Sequence, residues 1–109
     1  MSTYLVVYVT VPSATEGDKL ASALVEERLA ACINRVSSVH STYWWEGKVA
    51  RDEEQLLVIK TKDELFDRLK SRVQELHPYT VPEVIALPIL KGSEGYLKWM
   101  DEELDQSKK

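Results

Sequence analysis

The chain has 109 residues, a net charge of −4, and 44% hydrophobic and 29% charged residues. That is one soluble domain-sized unit, 1–109, whose size scaling gives about 6,200 Å² of folded surface against about 18,000 Å² unfolded. The acidic balance excludes nucleic acid as the main partner, because phosphate binding needs a basic face.

Residues 3–11 (TYLVVYVTV) form an unbroken β-branched and aromatic run, which predicts a buried strand ended by Pro12. Ser13 and Glu16 have capping-box spacing, as do Thr15 and Asp18. Leu20, Ala21, Leu24 and Val25 then recur at helical spacing, predicting a helix over 15–29. Residues 31–45 read as a long strand, with Val39, Tyr43 and Trp45 on one parity and His40, Thr42 and Trp44 on the other. Glu46-Gly47 is the turn, and 48–61 return as a second long strand, polar at its start and apolar at its end. Thr61 and Glu64 again have capping-box spacing, ahead of a 62–77 helix whose Leu65, Phe66, Leu69, Val73 and Leu76 share a face. Pro78 stops it. Residues 83–89 (EVIALPI) predict an edge strand, since Pro82 and Pro88 cannot donate to a ladder. Ser93 caps a last helix carrying Tyr96, Leu97, Met100 and Leu104, and the tail 105–109 should fray.

The order β-α-β-β-α-β plus a terminal helix is the α+β, ferredoxin-like split βαβ plan. Its 31–61 hairpin is too long for it. Fifteen residues (31–45) extended span about 50 Å, whereas a compact chain of this length is about 34 Å across. The hairpin must bend, bulge or project. Its tip carries Tyr43, Trp44 and Trp45, which argues for burial against other copies of the chain. The competing expectation is a coiled hairpin folded over its own sheet.

One cysteine, Cys32, excludes an intramolecular disulfide and a thiolate-built zinc site within one chain. No basic leader stands in 1–11, and no apolar run approaches the about 20 residues of a membrane span. We therefore expect a cytoplasmic protein with no membrane partner. No GxGxxG or P-loop pattern occurs.

Several blocks together resemble the CutA family of divalent-cation tolerance proteins, over about residues 4–100. They are Tyr8-Val9-Thr10-Val11-Pro12, Arg28-Leu29-Ala30-Ala31-Cys32-Ile33-Asn34, Tyr43-Trp44-Trp45-Glu46-Gly47-Lys48, Leu57-Val58-Ile59-Lys60-Thr61, His77-Pro78-Tyr79, Pro82-Glu83-Val84-Ile85-Ala86-Leu87-Pro88 and Tyr96-Leu97-x-Trp99. The resemblance implies a tight PII-like homotrimer with Tyr43, Trp44, Trp45 and Trp99 at its interface, and a role in tolerance of copper and other divalent metals. It implies no enzyme activity and no obligatory cofactor. The family's copper-ligand positions correspond here to Val9, Leu76 and His77, so one donor of three is kept. Cys32 and His77 are thus the soft-donor candidates for copper or another divalent cation. The plainer readings are a small buried apolar residue for Cys32 and a helix-end partner for His77. Threefold symmetry would turn one donor per chain into three.

Asp52, Glu53 and Glu54 offer weak hard-cation ligands, with a solvated strand face as the plainer reading. The alternative function is a small anionic metabolite held at inter-subunit clefts, with Lys60, Thr61, Tyr79 and Glu83 as the candidates. There, too, the plainer reading is structural: Lys60 and Glu83 paired across strands. Catalysis finds no support. The 12–18 loop (PSATEGD) lacks the arginine of an anion loop and no nucleophile–base set is apparent. RNA binding would need strand aromatics and a basic balance that the chain lacks.

Overall fold

A computed structural model describes residues 3–109. The elements are β1 (Tyr4–Val11), α1 (Ala14–Glu26), β2 (Cys32–Trp45), β3 (Lys48–Lys62), α2 (Phe66–Leu76), β4 (Ile85–Pro88) and α3 (Glu94–Glu103). The sheet runs β2-β3-β1-β4, antiparallel throughout, which is the expected ferredoxin-like order with β4 at an edge. No described helix is long and apolar enough to cross a membrane.

Strand alternation decides where the core lies. Leu5, Val7, Val9 and Val11 of β1 are buried and alternate with half-exposed neighbours. Register sets them opposite Thr61, Ile59, Leu57 and Gln55 of β3. On that face Leu20 and Leu24 of α1 and Leu69 and Val73 of α2 complete the main core. The opposite face, with Val6, Tyr8, Leu56, Val58, Ile85 and Leu87, is covered by no helix of those two. A smaller cluster of Ala31, Leu65, Met100 and Leu104 seats α3, with Tyr4 and Leu97 against it. The Tyr4 phenol and the Lys62 ammonium both bond Asp101 on α3, and Lys62 holds that carboxyl below the usual carboxylate range.

Local chemistry corrects several predicted bounds. Helix α1 starts at Ala14, because Ser13 is its N-cap and accepts from the Glu16 amide. It ends at Glu26 rather than 29, because Arg28 turns left-handed (φ 59°) and the amides of Leu29 and Ala30 both return to the Leu24 carbonyl. Thr61 caps nothing. Its hydroxyl is fully buried and donates to the Leu29 carbonyl at 2.7 Å. The 62–77 helix is instead a 3₁₀ turn, Asp63–Leu65, leading into α2. Strand β4 is four residues, not seven, as Pro82 and Pro88 bracket it. Ser93 caps α3 as expected. The tail is drawn in rather than frayed: Gln106 donates to the carbonyls of Arg28 and Leu104 and accepts from Arg68.

The hairpin both bulges and projects. Between Val36 and Val39 an extra residue interrupts the pairing, with Ser38 at φ 63°. Glu46 and Gly47, at φ 49° and 77°, form the two-residue turn. The long axis is 44 Å and the accessible surface 6945 Å², about 700 Å² beyond the size scaling. Trp44 is 75% exposed and Trp45 62%, so the hairpin does not fold back over its own sheet.

Candidate functional site

The end of β1 fixes the first wall of the site. Past α2, His77 leaves helical geometry (φ −75°, ψ 138°), as a residue before proline must. Its ring is buried and both nitrogens are engaged. Nδ1 accepts from the Tyr79 amide at 3.0 Å, so Nε2 carries the proton and donates to the Thr10 carbonyl at 2.7 Å. The imidazole also lies against the Tyr79 ring, with centroids 4.7 Å apart. His77 therefore ties the segment after α2 to β1 and orients Tyr79. A metal on this ring would have to displace the Tyr79 amide.

The second wall is the base of the projecting hairpin. Register places Val39, Ser41, Tyr43 and Trp45 opposite Glu54, Asp52, Ala50 and Lys48, on the sheet face that α1 and α2 leave open. Tyr43 donates its phenol to Asp52. Tyr79 reaches across and donates to Glu54 at 2.9 Å. Burial, with Glu54 adding to it, pushes the Tyr79 phenol up to about 12. Between these walls lies a cleft of about 780 Å³ that also includes Thr10, Trp45, Val81 and Glu83. Apart from Pro78 and Val81 its side chains are aromatic, hydroxylic and acidic, and none is Lys or Arg.

The other candidates sit at the far end of the sheet. Cys32 pairs with Lys60, and Lys60 with Val6, whereas His77 bonds Thr10, four residues further along β1. At about 3.3 Å per residue the thiol and the imidazole are more than about 13 Å apart. Cys32 is half-buried beside Tyr96, whose phenol is raised by burial and by that thiol. The Lys60 ammonium donates to Asn34 and does not pair with Glu83. Thr61 lies on the core face. The four cleft candidates thus divide: Tyr79 and Glu83 line one cleft, and Lys60 and Thr61 do not. Of the expected interface residues, Tyr43, Trp44 and Trp45 are exposed along the hairpin, and Trp99 packs against Tyr96 with ring centroids 5.4 Å apart and planes tilted by 45°.

Glu54 is the residue the sequence reading undervalued. It is 7% exposed, not part of a solvated face. Alternation in Asp52-Glu53-Glu54 does set the outer two on one face, yet only the return of Tyr79 over β3 buries one of them. Among the described residues, no group of three acidic, histidine or cysteine side chains is close enough to hold a metal ion.

Residues 5–103 match the family model described as CutA1 divalent ion tolerance protein. The divalent-cation tolerance protein CutA of Thermus thermophilus is 54% identical over 97 residues, covering 89% of this chain and 94% of that protein. The chloroplastic protein CutA 1 of Oryza sativa is 53% identical over 96 residues, or 88% of this chain and 54% of that protein. The chain thus spans about half the length of this plant relative. Among solved structures, the Thermus thermophilus Cut A1 superposes with a TM-score of 0.90 at 52% identity, over 92% of this chain and 97% of that one. The periplasmic divalent cation tolerance protein CutA of Archaeoglobus fulgidus gives 0.91 at 36% identity, over 94% and 99%.

Proposed function

The chain belongs to the CutA1 divalent ion tolerance family, and we propose that it serves that tolerance as a homotrimer that binds divalent cations, copper among them. The observation that carries the assembly is the uncovered apolar surface. Val36, Ile85 and Leu87 on the open sheet face are about half exposed, and the surface continues along the hairpin into Tyr43 and Trp45, while Trp44 is exposed on the hairpin's other face. Strands β2 and β4 are both open edges of the sheet. A head-to-tail ring of three copies would cover the apolar face and close both edges at once.

The metal reading depends on that ring. One chain separates Cys32 from His77, so a soft-donor site needs donors from more than one subunit. Cys32 is the donor we retain, since its register puts it on the open face. His77 would join only by releasing Tyr79. In this reading the protein binds rather than catalyses, and single-cysteine usage supports the cytoplasm as its compartment. The anionic-metabolite alternative has less support, because Lys60 is tied to Asn34 and the cleft at Tyr79 and Glu83 is acidic.

Light scattering tests the assembly: the mass should be three times 12.5 kDa, and a mass of one chain would refute it. Calorimetric titration with Cu²⁺ tests the metal. Wild type should bind at least about tenfold more tightly than Cys32→Ser, a loss of about 1.4 kcal/mol, and equal affinities would refute the Cys32 site.

A further inference from the structure

We propose that Arg35 and Tyr79 clamp the root of the projecting hairpin from opposite faces and so aim the arm at the neighbouring copy it docks on, a role that rests on the three-copy reading. The two contacts meet at adjacent residues of β3. On the open face Tyr79 donates to Glu54 at 2.9 Å, and His77 ties Tyr79 to the end of β1. On the helix face the Arg35 guanidinium donates to Gln55 at 2.7 Å, to Asp18 of α1 at 2.8 Å and to Ser37 in the bulge at 3.2 Å. Gly17 makes room for that arginine, since a Cβ there would stand 2.9 Å from the Arg35 side chain. Each contact joins the arm to a different part of the body, one to the segment after α2 and the other to α1.

Beyond that rung nothing in the chain packs the arm. From Val39 to Glu53 no residue is buried, and a two-stranded ribbon without a packed face is marginal and variably twisted. A head-to-tail ring closes only at one angle between copies. An arm already held at that angle docks without first losing its freedom. When only a fraction of chains holds its arm in place, affinity falls by that fraction, once for each copy in the ring. Either contact alone keeps most arms set, and losing both frees them, so the two losses act together as more than the product of their separate effects. Arg35 pairs with buried Leu57 on the face that α1 occupies, away from the face the ring covers. It is a positioning residue that acts on the interface without standing in it.

The test is sedimentation of the fluorescently labelled full chain over a dilution series, for wild type, Arg35→Gln, Tyr79→Phe and the double variant, with far-UV circular dichroism to confirm the fold. Wild type should sediment as a trimer, and a monomer at every concentration would remove the three-copy reading itself. With wild type trimeric, each single variant should weaken assembly by less than about threefold and the double variant by at least about thirtyfold, beyond the product of about ninefold. A residue that only stabilises its own surroundings gives the product. Should the double variant not fold, Gln55→Ala combined with Tyr79→Phe releases the same two residues of β3 and carries the same expectation. A folded double variant that stays at or below the product of its singles, or that remains assembled to the same dilution as wild type, would overturn the clamp.

Discussion

Replacing His77 by Ala separates a structural imidazole from a metal-binding one. The substitution leaves the Thr10 carbonyl and the Tyr79 amide without their partners at 2.7 and 3.0 Å. Each unsatisfied group costs about 1–3 kcal/mol, at the low end where water can enter beside half-exposed Tyr79. The lost ring contact adds about 0.5–1.5 kcal/mol. Together these give a loss of about 2–4 kcal/mol. With a urea slope of about 2 kcal/mol/M, the unfolding midpoint should fall by about 1–2 M. His77→Gln, whose amide can still donate to Thr10, should lose about half as much. The assay is equilibrium urea unfolding of both variants at several protein concentrations, with chelator and with added Cu²⁺. A structural histidine lowers the midpoint fully in chelator. If His77→Ala matches wild type in chelator and falls behind only when Cu²⁺ stabilises wild type, the reasoning is refuted, because the ring then acts through the metal.

Thr61→Val removes the buried donor to the Leu29 carbonyl and should cost about 1–2 kcal/mol in the same assay, with Thr61→Ser nearer wild type. In the hairpin turn, Gly47→Ala places a side chain at φ 77° and should cost about 1 kcal/mol, whereas Glu46→Asn, at φ 49°, should gain a few tenths. The Tyr79 phenol is raised in the fold from 10.0 to about 12, so the fold favours its protonated form. That contribution is complete below pH 10 and is lost as pH rises towards about 12. Thermal melts should show wild type losing stability faster than Tyr79→Phe across that window, and parallel losses would contradict the assignment.

The fold was legible in the sequence wherever one periodicity dominated. The β-branched run of β1, the leucine spacing of α1 and α2, and the prolines around β4 each specify an element from neighbouring residues alone. The misplaced ends have one cause. Left-handed Arg28 and core-facing Thr61 are set by contacts between distant segments, Leu29 with Thr61 and α1 with α2, which no local spacing reports. The site follows the same division. Tyr79 and Glu83 were visible as residues of an element end. Their partners were not, because Tyr79 meets Glu54 across 25 positions of chain. Lys60 looked like a cleft residue because it stands at a strand end, yet its ammonium donates to the side-chain oxygen of Asn34, diagonally across on β2.

The bulge at 36–39 sets the phase of everything beyond it. Before it, even-numbered residues of β2 (Cys32, Asn34, Val36) face the open side; after it, odd-numbered ones do (Val39, Ser41, Tyr43, Trp45). The extra residue acts as a half-step in a two-stroke pattern. Deleting either Ser37 or Ser38 would remove the half-step, leave Val36 and Val39 two positions apart opposite Leu56 and Glu54, and keep every side chain of the arm on its present surface; deleting both would turn the arm over and present Trp44 where Tyr43 and Trp45 now stand. The arm should therefore absorb the loss of one residue at 37–38 but not of two. Any further variation in length would have to come in pairs of residues, one on each strand, added at the tip.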